Sequence, residues 1–214
     1  MRDVEPSQED VAPAIALHER ALDNLSFIRD TMARSAPLTA VSGGGTVATG
    51  LIALAGGYLA ALRRSDDWWI YCWLGVACVG CLTSFAALVL KARRRPTPVF
   101  WGVVRRFALG LFPPILAGVV LTEIFYEMRL DALMPGTWLL LYGVGAVTGG
   151  AFSIRVLPIT GAAFMVLGVW AFYPPMALGA VLWGPITLAD AFLLGGFGCF
   201  HIVCGLVIAW RYNG

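Results

Sequence analysis

TWLLLYGVGAVTGGAFSIRVLPITGAAFMVLGVWAFYPPM, residues 137 to 176, carries a single charged side chain, Arg155. On either side of it lies an apolar run of about 18 residues, just long enough to cross the hydrocarbon core of a bilayer at about 1.5 Å per helical residue. Two such runs hinged on one arginine read as a helical hairpin through a membrane. The rest of the chain agrees with that class. Hydrophobic residues fill 59% of the 214 positions, charged residues 13%, and mean hydropathy is +0.78. A water-soluble domain cannot hide that much apolar surface in one core. The expected fold is all-α: a polytopic transmembrane helical bundle preceded by an amphipathic cytoplasmic helix.

Length and flanking charge place six spans, at roughly residues 43 to 62, 68 to 90, 107 to 127, 137 to 154, 157 to 174 and 190 to 210. The chain then divides into a cytoplasmic segment, 1–36, and a transmembrane domain, 37–214. Segment 1–36 carries seven acids against four arginines, the reverse of the basic start of a cleavable signal peptide. Six spans leave ten Lys and Arg near span ends on the side of the termini (Lys91, Arg155 and Arg211 among them) and three, Arg63, Arg64 and Arg129, on the other. The cytoplasmic side retains positive charge, which predicts a bacterial inner-membrane protein with both termini cytoplasmic.

Trp and Tyr concentrate where those spans meet the headgroups, as amphipathic rings do. Trp68, Trp69, Trp138 and Trp170 mark the outer belt, Trp101 and Trp210 the inner one. In residues 8–35, Val11, Ile15, Leu22, Leu25, Ile28 and Met32 form one apolar stripe at helical spacing, with Pro13 in the first turn. The polar face is mixed in sign and the segment net acidic, which favours a cytoplasmic protein partner over anionic lipid. Gly145, Gly149 and Ser153 form a small-residue ridge, and Gly57 with Ala61 another; both suit close helix packing, within the bundle or between copies.

Ionisable groups inside a membrane are costly unless paired or hydrated, and few are present. Glu123 and Glu127, one turn apart near the outer end of span three, could hold a proton or cation, or reach the interface and pair with Arg129. Pro113-Pro114 in the same span removes two backbone donors and frees carbonyls of the preceding turn, giving a kink or a cavity lining. His201, midway down span six, needs a hydrogen-bond or metal partner. Cys199 and Cys204 flank it, with Cys78 and Cys81 at similar depth on span two, a set whose chemistry permits zinc or copper. The alternative is a histidine satisfied by a hydroxyl or carbonyl of a neighbouring span, with cysteines as small packing residues. Paired haem ligands, a Walker phosphate loop, H-E-x-x-H and G-x-S-x-G are absent from the sequence, and no nucleophile, base and orienter set stands out. Net charge of +2 without a basic binding motif predicts no nucleic-acid partner, and the sequence requires no cofactor.

The stretches Trp138-Leu-Leu-Leu-Tyr-Gly143 and Thr148-Gly-Gly-Ala-Phe-Ser-Ile-Arg155 resemble a group of bacterial multi-span proteins, as do the ending His201-Ile-Val-Cys-Gly205 and Arg211-Tyr-Asn-Gly214. The resemblance covers roughly the last 80 residues and implies a six-helix inner-membrane architecture with no assigned activity. The cysteines lie outside that pattern. The expected function is non-enzymatic, by association, as an accessory subunit of a membrane complex or a partner-coupled sensor. Two other readings stay open: a small transporter or channel using Glu123, Glu127, Pro113-Pro114 and His201, and a metal or redox membrane protein.

Overall fold

The computed structural model describes residues 41–212, apart from 64, 95–97, 152 and 174–178, together with Leu25. The chain falls into two units, Met1–Pro37 and Leu38–Gly214. The expected amphipathic helix of residues 8–35 lies outside the described residues except for Leu25, and all that follows concerns the second unit.

Six helices make up most of it: α1 (Gly43–Ala61), α2 (Asp66–Arg94), α3 (Pro98–Glu127), α4 (Met134–Gly150), α5 (Val156–Phe172) and α6 (Leu188–Tyr212). Five are long and apolar enough to cross a membrane, α4 together with the 3-10 turn Asp131–Leu133 that precedes it, and α5, at 17 residues, is the short one. The chain is therefore read as a multi-pass membrane protein. Two expected boundaries move. The basic connection expected over 91–106 is largely helical, because α2 continues to Arg94 and α3 starts at Pro98; Pro lacks the N–H that a first turn leaves unpaired anyway, so it is a suitable start. The stretch before the last helix is not wholly irregular, and the fold is not purely α. Val181–Trp183 (β1) pairs antiparallel with Ile186–Thr187 (β2) around Gly184, whose φ of +56° suits a glycine.

Local chemistry explains the helix ends. Ser42 caps α1, accepting from Gly45 N at 3.4 Å. The end of α3 closes with Leu130 N donating to Phe125 O (2.8 Å) and Arg129 in the left-handed region at φ 57°. This is a Schellman-type stop with arginine where glycine is usual. Inside α3 the helix runs through Pro113-Pro114. The carbonyl that Pro114 deprives of its partner is Gly110 O, and the Thr148 hydroxyl of α4 lies 2.9 Å from it. One of the carbonyls expected to be free at this break thus faces a hydroxyl of the neighbouring helix, which Val144 O, also at 2.9 Å, shares.

Packing runs from α2 to α1, α1 to α6, α6 to α5, α5 to α4 and α4 to α3. Tyr126 OH donates to Asp67 Oδ1 (2.9 Å) and joins α3 to α2. Glycines set two of these seams at a spacing of seven, or two helical turns, the period of near-antiparallel packing. On α4 and α5, a Cβ added to Gly143 would stand 2.6 Å from Gly161 O, and one on Gly168 would stand 2.9 Å from Gly136 O. On α1 and α6, a Cβ at Gly43 would meet Gly205 O and one at Gly50 would meet Gly198 O, both at 2.8 Å. The two ridges read from the sequence also face inward. Gly145 packs on Leu111 and Gly149 on the Phe107 carbonyl, while Gly57 faces Leu194 and Trp73. Ala61 is buried and Ser153 half-buried beyond the end of α4.

Candidate functional site: a polar and aromatic core

The interior that these seams enclose is aromatic, with a small number of polar groups bonded across helices. At one end, the turn after β2 carries Thr187-Leu-Ala-Asp190, a capping box. Asp190 N donates to Thr187 Oγ1 (3.2 Å), and Asp190 Oδ2 accepts from Thr187 N (2.9 Å) and from the Thr187 hydroxyl (2.7 Å). The second carboxylate oxygen, Oδ1, accepts from Trp69 Nε1 of α2 at 2.7 Å. Asp190 is 1% exposed, so a carboxylate has left solvent and is held by three donors.

The Trp69 ring stacks on Trp138 of α4, with centroids 5.7 Å apart and planes at 10°. Trp138 Nε1 donates to Thr122 Oγ1 of α3 (2.8 Å), which donates in turn to Gly118 O (2.7 Å). One continuous series of contacts therefore ties α6, α2, α4 and α3 at this end of the bundle.

One turn deeper on α4, Tyr142 OH lies 2.7 Å from His201 Nε2 of α6. Around this pair stand Phe164 of α5 and Phe197 of α6, 4.8 Å and 5.3 Å from the tyrosine ring centroid. His201 is buried, and its Nδ1 has no well-formed hydrogen bond; it faces the carbonyls of Gly196 and Phe197 in the preceding turn. Both nitrogens are served best by the tautomer with the proton on Nδ1 and Tyr142 donating to Nε2. Leu194–Phe200, immediately before His201, is wound as π-helix. A π turn shifts carbonyls off the regular ladder and is common where a helix builds a site. Trp73 Nε1, also buried, has no hydrogen-bond partner and packs beside Phe197, with ring centroids 6.4 Å apart.

The remaining sequence candidates are scattered. Glu123 and Glu127 are exposed on α3, and the Arg129 guanidinium lies over the Tyr126 ring, 5.6 Å from its centroid. Cys78, Cys81 and Cys199 are exposed; Cys204 is buried, packed with Ile154, Leu157 and Ile208. Among the described residues no three His, Cys, Asp or Glu side chains converge as metal ligands, so the set that the sequence permitted around His201 is not assembled there. Of the belt residues, Trp101, Trp170 and Trp210 point outward, whereas Trp69 and Trp138 turn their rings into the core. Trp68 is half-buried, donates to Leu59 O (3.2 Å) and carries the Arg63 guanidinium over its ring.

Asp190, Trp69, Trp138 and Tyr142 were not expected to act together. The capping-box spacing ahead of an apolar run was the visible signal for Asp190; no local pattern marks the other three. No protein-family model matches the chain, and comparisons with curated proteins and with solved structures give no match.

Proposed function

We propose that the chain is a six-span protein of the bacterial inner membrane, both termini cytoplasmic, that works by association: a non-enzymatic accessory subunit of a membrane complex or a sensor coupled to a cytoplasmic partner through residues 8–35. The sixth span is α5. Its 17 residues reach about 26 Å, the short end of what a bilayer accepts, and its glycine seam with α4 carries it across beside a helix that the 3-10 turn Asp131–Leu133 extends to 20 residues. Sidedness rests on the excess of Lys and Arg at the end bearing Arg155 and Arg211.

The observation that supports association is the contrast between interior and perimeter. Asp190 has both oxygens occupied by neighbours within the bundle, as does the indole pair that follows it. The outer helices are barely covered. Leu82, Phe85 and Leu90 of α2 and Leu109, Phe112 and Val119 of α3 are each more than half exposed. Helices that expose this much apolar surface can take lateral partners as readily as lipid.

The test is purification of the full chain in mild detergent beside a version lacking residues 1–35. A defined set of co-purifying proteins is expected, with a soluble member lost on truncation. A solitary chain in both preparations would end the reading. A transport reading rests on one observation, the Tyr142–His201 pair beside the π turn. It requires His201→Gln to change proton- or cation-coupled flux in liposomes.

A further inference from the structure

The acids of residues 41–212 stand at positions 66, 67, 123, 127, 131 and 190, all at the end of the bundle that holds the Asp190 network. Among the described residues the opposite end has none and is basic. Its cations come from segments far apart in sequence, and one hydrophobic cluster draws them together. Ile154, Leu157, Cys204 and Ile208 form that cluster, with Val41, Phe107, Val156 and Tyr212 packed against it. Arg106 precedes Phe107, Arg155 lies between Ile154 and Val156, and Arg211 precedes Tyr212. Lys91 reaches the same place from α2, donating to Val41 O at 2.9 Å.

Arg93, Arg105, Arg106, Arg155 and Arg211 are all exposed. Three of them head outward-facing apolar stripes. Leu109 and Phe112 follow Arg105 by one and two turns, Ile159 follows Arg155 by one turn, and Val203 lies two turns before Arg211; each of these apolar residues is more than half exposed.

We infer that this end is a docking face for anionic phospholipid. The arginines engage the phosphate of the headgroup, and the stripes of α3, α5 and α6 carry its acyl chains. Charge complementarity identifies the occupant: a guanidinium fork matches phosphate, and a zwitterionic headgroup would bring an ammonium beside several exposed guanidinium groups. A cation that serves only to fix sidedness needs no exposed apolar side chains aligned with it. Here Arg105, Arg155 and Arg211 each stand in line with exposed apolar side chains of their own helix.

The experiment is native mass spectrometry of the full chain in a neutral detergent, with equimolar phosphatidylglycerol and phosphatidylethanolamine added. Phosphatidylglycerol should be retained preferentially. Arg105→Gln, Arg155→Gln and Arg211→Gln should each lower that preference, by about fivefold for an arginine near an anionic surface. Arg63→Gln and Arg129→Gln, at the opposite end, should leave it intact. Equal retention of the two lipids by the unaltered chain would overturn the inference, as would a preference that survives all three substitutions together. If the triple variant does not fold, the three single variants decide the matter by the same reading. Inorganic phosphate at the lipid's concentration should displace nothing; displacement would mean that the face reads phosphate alone, and a lipid site would be ruled out.

Discussion

Asp190 shows what one residue contributes when its partners come from other helices. With Trp69 Nε1, Thr187 N and the Thr187 hydroxyl all donating to it, Asp190→Ala removes the carboxylate half of a capping box and strands a half-buried indole N–H. The expected loss is about 2–4 kcal/mol, read as a lowered unfolding midpoint in detergent. Glu123→Ala, on the exposed face of α3, should move the same midpoint by no more than about 0.5 kcal/mol. The Tyr142–His201 bond tests a different point. Tyr142→Phe leaves His201 Nε2 without its donor, and a cycle with His201→Leu should give a coupling of about 0.6–1.7 kcal/mol, the range for hydrogen bonds between membrane helices. Zero coupling would mean that the two rings only pack. Sequence reasoning anticipated a neighbouring hydroxyl for His201 but could not say which, since Tyr142 is 59 residues away.

At the scale of elements, the two glycine seams fix which helices are neighbours. Gly143→Ala places a methyl 2.6 Å from the Gly161 carbonyl, where only a backbone shift can make room. The pair α4 and α5 should lose about 1–3 kcal/mol, as overpacked sites do. Gly102→Ala, on α3 with nothing within 4 Å, should instead gain about 0.5–1 kcal/mol from helix propensity. If both substitutions behave alike, close backbone approach is not what the glycines provide. Helix existence was legible because apolar length and flanking charge act locally. The ends were less so: α3 begins at Pro98, well before the expected 107, because a basic, solvated turn is as compatible with helix as an apolar one. The small-residue ridges were visible as well, but not the face each would meet.

For the whole molecule the open count is whether α5 crosses. With the five native cysteines replaced, Arg155→Cys and Gly184→Cys should react with a membrane-impermeant maleimide from opposite faces of sealed vesicles. Labelling of both from one face would leave α5 on the surface and reduce the bundle to five spans. The polarity of charge along the bundle belongs to this scale too. It is carried by residues spread from Lys91 to Arg211, and the fold gathers them around a single apolar cluster.

The sequence by itself determined the solvent and the elements. Lipid demands runs of apolar residues that satisfy their own backbone bonds, and this requirement is written residue by residue in hydropathy and in the charges that end each run. It also marked His201 as a group in need of a partner. Only the tertiary structure decided which polar groups meet: Asp190 with Trp69, Trp138 with Thr122, Tyr142 with His201, and Thr148 with the carbonyl left by Pro114. Each is a short-range bond between residues distant in the chain, and no periodicity along one helix specifies the helix that will lie beside it.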